Sequence, residues 1–246
     1  MVWLRIATAG VVFAVWRQPS RFLGTLQQRD GAIVVSLGVV LAAMNTVFYE
    51  AIARLPLATV GAIEFLGPIA IAAWGVRTRR NLAALALAVF GGCLLTEVRI
   101  VSEPLGYEFA FLNCILFMIY VLLGHRIAIG GEEASGVDRL AAAMLIATAV
   151  AVPTGLRAAL PAFTDPVLLA TTAGVGVSSS VVPHVCGQLA MRRLPRASFA
   201  LLLALLPISA ACVGIVVLRQ VPSMQEALGV LPVIGGVALH RSLESN

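Results

Sequence analysis

Residues 31–53 read GAIVVSLGVVLAAMNTVFYEAIA, 23 residues whose one charge, Glu50, lies near the far end. A helix rises about 1.5 Å per residue, and about 20 apolar residues cross the hydrocarbon core of a bilayer. The stretch reads as a membrane span. Working outward in both directions, the same signal recurs. Apolar helices are expected over Met1–Trp16, Gly31–Ala53, Leu57–Val76, Leu82–Val98, Leu105–Ile127, Val137–Leu156, Val167–Met191, Ala197–Leu218 and Met224–Leu239. The connectors are short and carry Pro, Gly or Arg, and no linker or low-complexity tract divides the chain. The expectation is an all-α membrane protein, a single transmembrane domain over residues 1–246 with about nine transmembrane helices.

Composition agrees. Hydrophobic residues make up 60% of the chain, charged residues 12%, and the mean hydropathy is +0.97. Soluble domains carry roughly 25% charge, so one water-soluble core cannot hide this much apolar surface. The net charge of +5 comes from 17 Arg and no Lys against 12 acids. These Arg residues sit in short clusters between apolar runs and not along one face, which argues against nucleic-acid binding. Cys93, Cys114, Cys186 and Cys212 lie inside apolar runs with no C-x-x-C pair. They read as small buried hydrophobes, with neither a disulfide nor a metal site implied.

Orientation follows from the Arg distribution. With loops assigned to alternate sides, one side collects 12 Arg, including Arg77, Arg79, Arg80, Arg192, Arg193 and Arg196, and the other collects 5: Arg5, Arg54, Arg99, Arg157 and Arg219. The richer side is cytoplasmic by the positive-inside rule, which places the C-terminus inside. The first span is short for a crossing. Ile6–Trp16 has the length of a signal-peptide apolar region, but Arg17-Gln18-Pro19-Ser20 follows it, with no small-residue cleavage site. An earlier helix, ahead of Met1, is the preferred expectation.

Residues 51–75 laid over 190–214, an offset of 139, match at 10 of 25 positions. The matches include Arg54-Leu55-Pro56 over Arg193-Leu194-Pro195, Pro68 over Pro207 and Gly75 over Gly214. Five helices separate the copies, and an odd number inverts the second. An inverted-repeat helical bundle is expected, with halves near 1–103 (incomplete) and 104–246. Such repeats mark secondary transporters, although duplicated helices can also merely pack.

Polar residues inside the spans usually face the bundle interior or a cavity. Gly38, Ala42, Asn45 and Tyr49 share one helical face, as do Ser180, His184 and Gln188. The 139 offset carries Asn45 onto His184 and Tyr49 onto Gln188. Asn113, Tyr120 and Gly124 share another face. The alternative is hydrogen-bonded glue between helices. Pro68, Pro183 and Pro207 free the carbonyls of Glu64, Ser179 and Leu203, and Gly67-Pro68 reads as a helix break. A freed carbonyl at membrane depth must find a side chain, a water or a substrate. Glu64 is the one acid deep in an apolar span, which makes it the candidate to take up and release a proton.

These residues carry a resemblance. Leu4-Arg5-Ile6-Ala7, Met44-Asn45-Thr46-Val47-Phe48-Tyr49, Ala62-Ile63-Glu64-Phe65-Leu66-Gly67-Pro68, and Pro183-His184 through Arg193-Leu194-Pro195 resemble the EamA-type transporters of the drug/metabolite transporter superfamily. Within them the likeness is to the threonine/homoserine exporter group. It implies ten helices in two inverted halves, efflux of small amino acids or related metabolites, and residence in the bacterial plasma membrane. From their placement inside the spans, substrate contacts are expected at Asn45, Tyr49, Glu64, Tyr120, His184 and Gln188, with proton coupling at Glu64. Against the family pattern, Gly187, Leu206 and Gln220 stand where relatives often have Glu, and His184 stands where Tyr is usual. A transport-inactive or accessory subunit is therefore an alternative. An intramembrane hydrolase built on Ser180 and His184 is a remoter one, since no Gly-x-Ser-x-Gly elbow is present. The expected partners are the bilayer, a small-molecule substrate and protons, with a homodimer left open. No cofactor, metal ion or nucleic acid is expected.

Overall fold

The computed structural model describes residues 2–17, 31–75, 78–95, 102–130, 136–206, 209 and 224–239. Among them every regular element is helical: α1 (Val2–Arg17), α2 (Gly31–Ile52), α3 (Leu57–Trp74), α4 (Arg79–Leu95), α5 (Pro104–Ile129), α6 (Gly136–Val150), α7 (Val152–Ala159), α8 (Pro166–Gly176), α9 (Val182–Arg193), α10 (Arg196–Leu202) and α11 (Met224–Leu239). Each of the nine apolar segments read from the sequence holds helix. Among the described residues, four spans are long and apolar enough to cross a membrane: α2, α3, α5, and the run Pro166–Arg193 that joins α8 to α9. Their outward faces carry Val39, Leu66, Phe111 and Val167 exposed, the apolar surface that a lipid solvent covers. The protein is an all-α membrane protein.

Local chemistry sets several ends. Asp165 accepts from the Val167 and Leu168 backbone N–H groups at 2.9 and 3.1 Å, and Pro166 opens α8 where a missing N–H costs nothing. Within the spans, hydroxyls bond back to carbonyls one turn earlier, Thr46 to Ala42 at 3.0 Å and Thr172 to Leu168 at 2.7 Å, so they need no partner in lipid.

Two expectations about the elements change. The segment Val137–Leu156 is not one straight span. α6 ends at Val150 and the chain turns through 81° into the stretch beginning at Gly155. Pro153 in the first turn of α7 lacks an N–H and its ring crowds the preceding turn, which favours the break between α6 and α7. Cys93 and Cys186 are exposed, not buried, because their helices turn those apolar faces outward, whereas Cys114 is buried. Cys212 and Pro207 lie outside the described residues, as does most of the chain after Leu206 in the eighth expected helix.

The chain forms two compact units. The first comprises Met1–Tyr49 and Ile119–Arg193, the second Glu50–Met118 and Leu194–Asn246. In the first, α1 lies against α6 and α8. Its core joins Ile6, Ala9 and Phe13 to Val34, Leu37 and Leu41 of α2 and to Leu140, Ala143, Met144 and Ala147 of α6. Small residues bring these helices close. A Cβ on Gly38 would meet the Ala143 carbonyl and Ile146 at 2.7 Å, and one on Gly10 would strike the Thr148 hydroxyl. Thr148 also donates to the Ile6 carbonyl at 3.2 Å, and the Trp3 indole donates to the Thr148 carbonyl at 3.3 Å.

In the second unit α4 and α11 form the tightest pair. Gly91 faces the Gly229 carbonyl and Val233, and Gly236 faces the Ala84 carbonyl at 2.6 Å. Arg80 donates to the Leu239 carbonyl at 2.7 Å, satisfying the last turn of α11. Both copies of the Arg-Leu-Pro hairpin begin their helix in the same way. Pro56 has φ −54° and ψ 139°, Pro195 φ −58° and ψ 150°. Val60 and Phe199, equivalent under the 139 offset, donate to the Pro56 and Pro195 carbonyls at 3.2 and 2.9 Å. The sequence repeat is thus also a repeat of local structure.

Candidate functional site

Five of the residues expected to line a site fall in the first unit. Asn45 and Tyr49 stand one turn apart on α2, both half-buried. The Asn45 amide nitrogen donates to the Leu41 carbonyl at 2.8 Å, which turns its oxygen outward. That oxygen accepts from a terminal nitrogen of Arg5 on α1. The Arg5 guanidinium also sits over the Tyr49 ring, 5.5 Å from its centroid, a cation–π arrangement.

His184 on α9 packs edge-on against Tyr120 of α5, with ring centroids 5.8 Å apart at 73°. Its Nδ1 lies 2.7 Å from the Ser180 carbonyl. A carbonyl only accepts, so Nδ1 carries the proton and Nε2 of the neutral ring is an acceptor. This bond goes to the main chain and not to the Ser180 hydroxyl, so it does not assemble a nucleophile. Arg5 lies within electrostatic range of His184. Gln188 is 3% exposed and its amide donates to the Gly124 carbonyl at 3.1 Å, so it is engaged between α9 and α5. Gly136 at the start of α6 leaves it room, since a Cβ there would lie 3.1 Å from that amide nitrogen.

Just before Pro183, residues Val177–Val181 widen into a π-helical turn, and the Val182 N–H reaches back five residues to Val177. The proline ring crowds the carbonyl four residues earlier, and an extra residue in the turn relieves it.

Glu64 falls in the second unit. It is half-buried on α3, seven residues from Leu57. Its polar neighbour is the amide of Asn113 on α5. Asn113 is fully buried, and neither amide atom makes a hydrogen bond of good geometry. α3 runs unbroken through Gly67 and Pro68. Gly67 admits α5 closely, because a Cβ would lie 2.9 Å from Met118 and 3.4 Å from the Cys114 sulfur. A pocket beside Pro68, lined by Phe65, Ala72, Leu85 and Ala200, is apolar and holds about 10 Å³, no more than one water.

The residue that sequence reasoning missed is Arg5, which was counted among the loop charges. Its signal was available: it is the only charge in Val2–Trp16.

A family model for the EamA-like transporter family matches residues 104–241, more than half of the chain. The chain belongs to the EamA-like transporter family. Curated relatives extend this likeness to almost the whole sequence. The threonine/homoserine exporter RhtA of Escherichia coli (strain K12) is 29% identical over 240 residues, 93% of this chain and 77% of that protein. Its counterpart in Salmonella typhimurium (strain SL1344) is 28% identical over 227 residues, 88% of this chain and 72% of its own length. A solved crystal structure matches with a TM-score of 0.74 at 17% identity, over 97% of this chain and 85% of its own, a likeness of fold alone. As a member of the EamA-like family the protein is a membrane transporter of small molecules. The polar and cationic groups of the first unit are the candidate contacts for what it carries.

Proposed function

We propose that this transporter exports a small amino acid of the threonine or homoserine kind, or a related metabolite, from the cytoplasm across a bacterial plasma membrane. The observation that carries the reading is the polar set inside the apolar first unit: Arg5 held by Asn45 and Tyr49, with His184, packed on Tyr120, within its electrostatic range. Polar groups at membrane depth are costly and concentrate on substrate pathways. The similarity to threonine/homoserine exporters supports the substrate class. Asn45, Tyr49, Tyr120, His184 and Gln188 are the proposed substrate contacts, and Glu64 is the proposed proton-exchanging group. The C-terminus is cytoplasmic on this reading, following the 12-to-5 Arg distribution.

The test is transport by the purified protein in liposomes, with radiolabelled L-threonine and L-homoserine moving against their gradients when a proton gradient is applied. Accumulation that collapses when the proton gradient is dissipated supports the reading. Correctly inserted protein that moves neither amino acid under any gradient overturns it and favours an accessory or transport-inactive subunit.

A further inference from the structure

An arginine inside a membrane bundle normally comes with a counter-charge or a set of carbonyls, because a bare guanidinium in hydrocarbon is costly. Arg5 has neither in full. Arg17 pairs with Asp138 and Arg54 with Glu50, and neither pair involves Arg5. Of the two described acids in the first unit, Asp138 pairs with Arg17 and Asp165 caps α8. Arg5 is nevertheless half-buried, and its Nε is buried without a hydrogen-bond partner.

The groups around Arg5 position it without neutralising it. Asn45 offers a neutral oxygen, oriented by its own bond to Leu41. Tyr49 offers a ring face. A guanidinium carries five N–H donors in a planar fork that matches a carboxylate. Here one terminal nitrogen is committed to Asn45, and the edge through Nε is left without an acceptor. Depth also suits a site. Asn45 lies seven residues from Ile52 at the end of α2, roughly 10 Å along the helix axis.

We propose that Arg5 is a carboxylate-binding group, held by Asn45 and Tyr49, that recognises the carboxylate of the transported metabolite through its Nε edge. The proposal rests on the transport reading above and deepens it. It makes the substrate class carboxylate-bearing and makes the anionic end, not the side chain, the part that Arg5 reads. His184 adds an acceptor at Nε2 for a hydroxyl or ammonium hydrogen of the same molecule. Purely structural glue between α1 and α2 would require shape and hydrogen bonding from residue 5 but no discrimination among solutes.

The experiment compares wild type, Arg5→Lys and Arg5→Gln of the full chain in liposomes. It measures the KM for L-threonine and the inhibition of that transport by L-threoninol, which keeps the amine and hydroxyl but lacks the carboxylate, and by L-homoserine. In wild type, L-homoserine inhibits and L-threoninol does not. Loss of a charge-assisted fork raises the KM about tenfold or more in Arg5→Gln and brings the two inhibitors closer together. Arg5→Lys keeps the charge and loses the fork, so its KM falls between. If Arg5→Gln does not insert, the position of Arg5→Lys decides: a KM and inhibitor preference equal to wild type overturn the proposal. An inserted Arg5→Gln that keeps the wild-type KM or preference also overturns it, as does wild type that accepts L-threoninol as readily as L-homoserine. Wild-type liposomes that move no amino acid overturn the transport reading itself, and this inference with it. Transport with discrimination unaffected by Arg5 removes this inference alone.

Discussion

Glu64 and Gln188 have different surroundings, and their substitutions are expected to act differently. Glu64 is half-buried, and its polar neighbour is the Asn113 amide. Replacing it with Gln keeps the shape and removes titration. Glu64→Gln is expected to insert normally and to show lost or pH-insensitive transport in liposomes, whereas a wild-type rate with wild-type pH dependence would refute its coupling role. Gln188, by contrast, spends its amide on the Gly124 carbonyl. Gln188→Leu is expected to destabilise the protein by about 1 kcal/mol, the usual size of a hydrogen bond between membrane helices, read as a lower melting temperature in detergent. Asn45, Tyr49, His184 and Gln188 were visible in the sequence because polar residues at helical spacing stand out in an apolar run. Arg5 was not, because a charge four residues into a span reads equally well as a loop residue. Only its contact with Asn45 distinguishes the two.

Helix pairing in this protein depends on where glycine meets main chain. Gly236 sits against the Ala84 carbonyl and the Ala88 nitrogen, whereas a Cβ on its neighbour Gly235 would enter open space. Gly236→Val is therefore expected to force α4 and α11 apart and cost about 1–3 kcal/mol, the range for overpacking, while Gly235→Ala leaves the melting temperature within about a degree or raises it slightly. Equal melting temperatures for the two variants would show that the close approach is not what holds the pair. The existence and order of the helices were legible, since length and apolar content set both. The bend after Val150 was not placed by hydropathy, although Pro153, which favours it, is in the sequence. The π-helical turn before Pro183 was read only as a freed carbonyl: proline chemistry says that a bond must be lost, and packing decides how the turn accommodates it.

At the scale of the whole molecule, the Arg distribution predicts the topology. Single cysteines placed in a cysteine-free variant within the Arg77–Arg80 and Arg192–Arg196 loops are expected to resist an impermeant thiol reagent in intact cells. Those within Glu97–Glu108 and Arg157–Asp165 are expected to react. External labelling of the Arg77–Arg80 loop would reverse the orientation. Each compact unit takes one block from the first half of the sequence and one from the second. Both Arg-Leu-Pro helix starts lie in or at the edge of the second unit, and both polar stripes, Asn45 with Tyr49 and His184 with Gln188, lie in the first. By itself the sequence determined that the chain is a helical membrane protein and where its apolar segments lie, and it carries a 25-residue match at a fixed offset. Those properties follow from local apolar length, charge placement and residue identity at a fixed offset. Only the tertiary structure decided which helices share a unit and that Arg5 meets Asn45 across 40 residues of chain. It also decided that Gln188 is committed to a carbonyl. Such contacts depend on which face each helix turns toward its neighbours, and in an apolar bundle close packing of small residues sets that face more than hydrophobicity does.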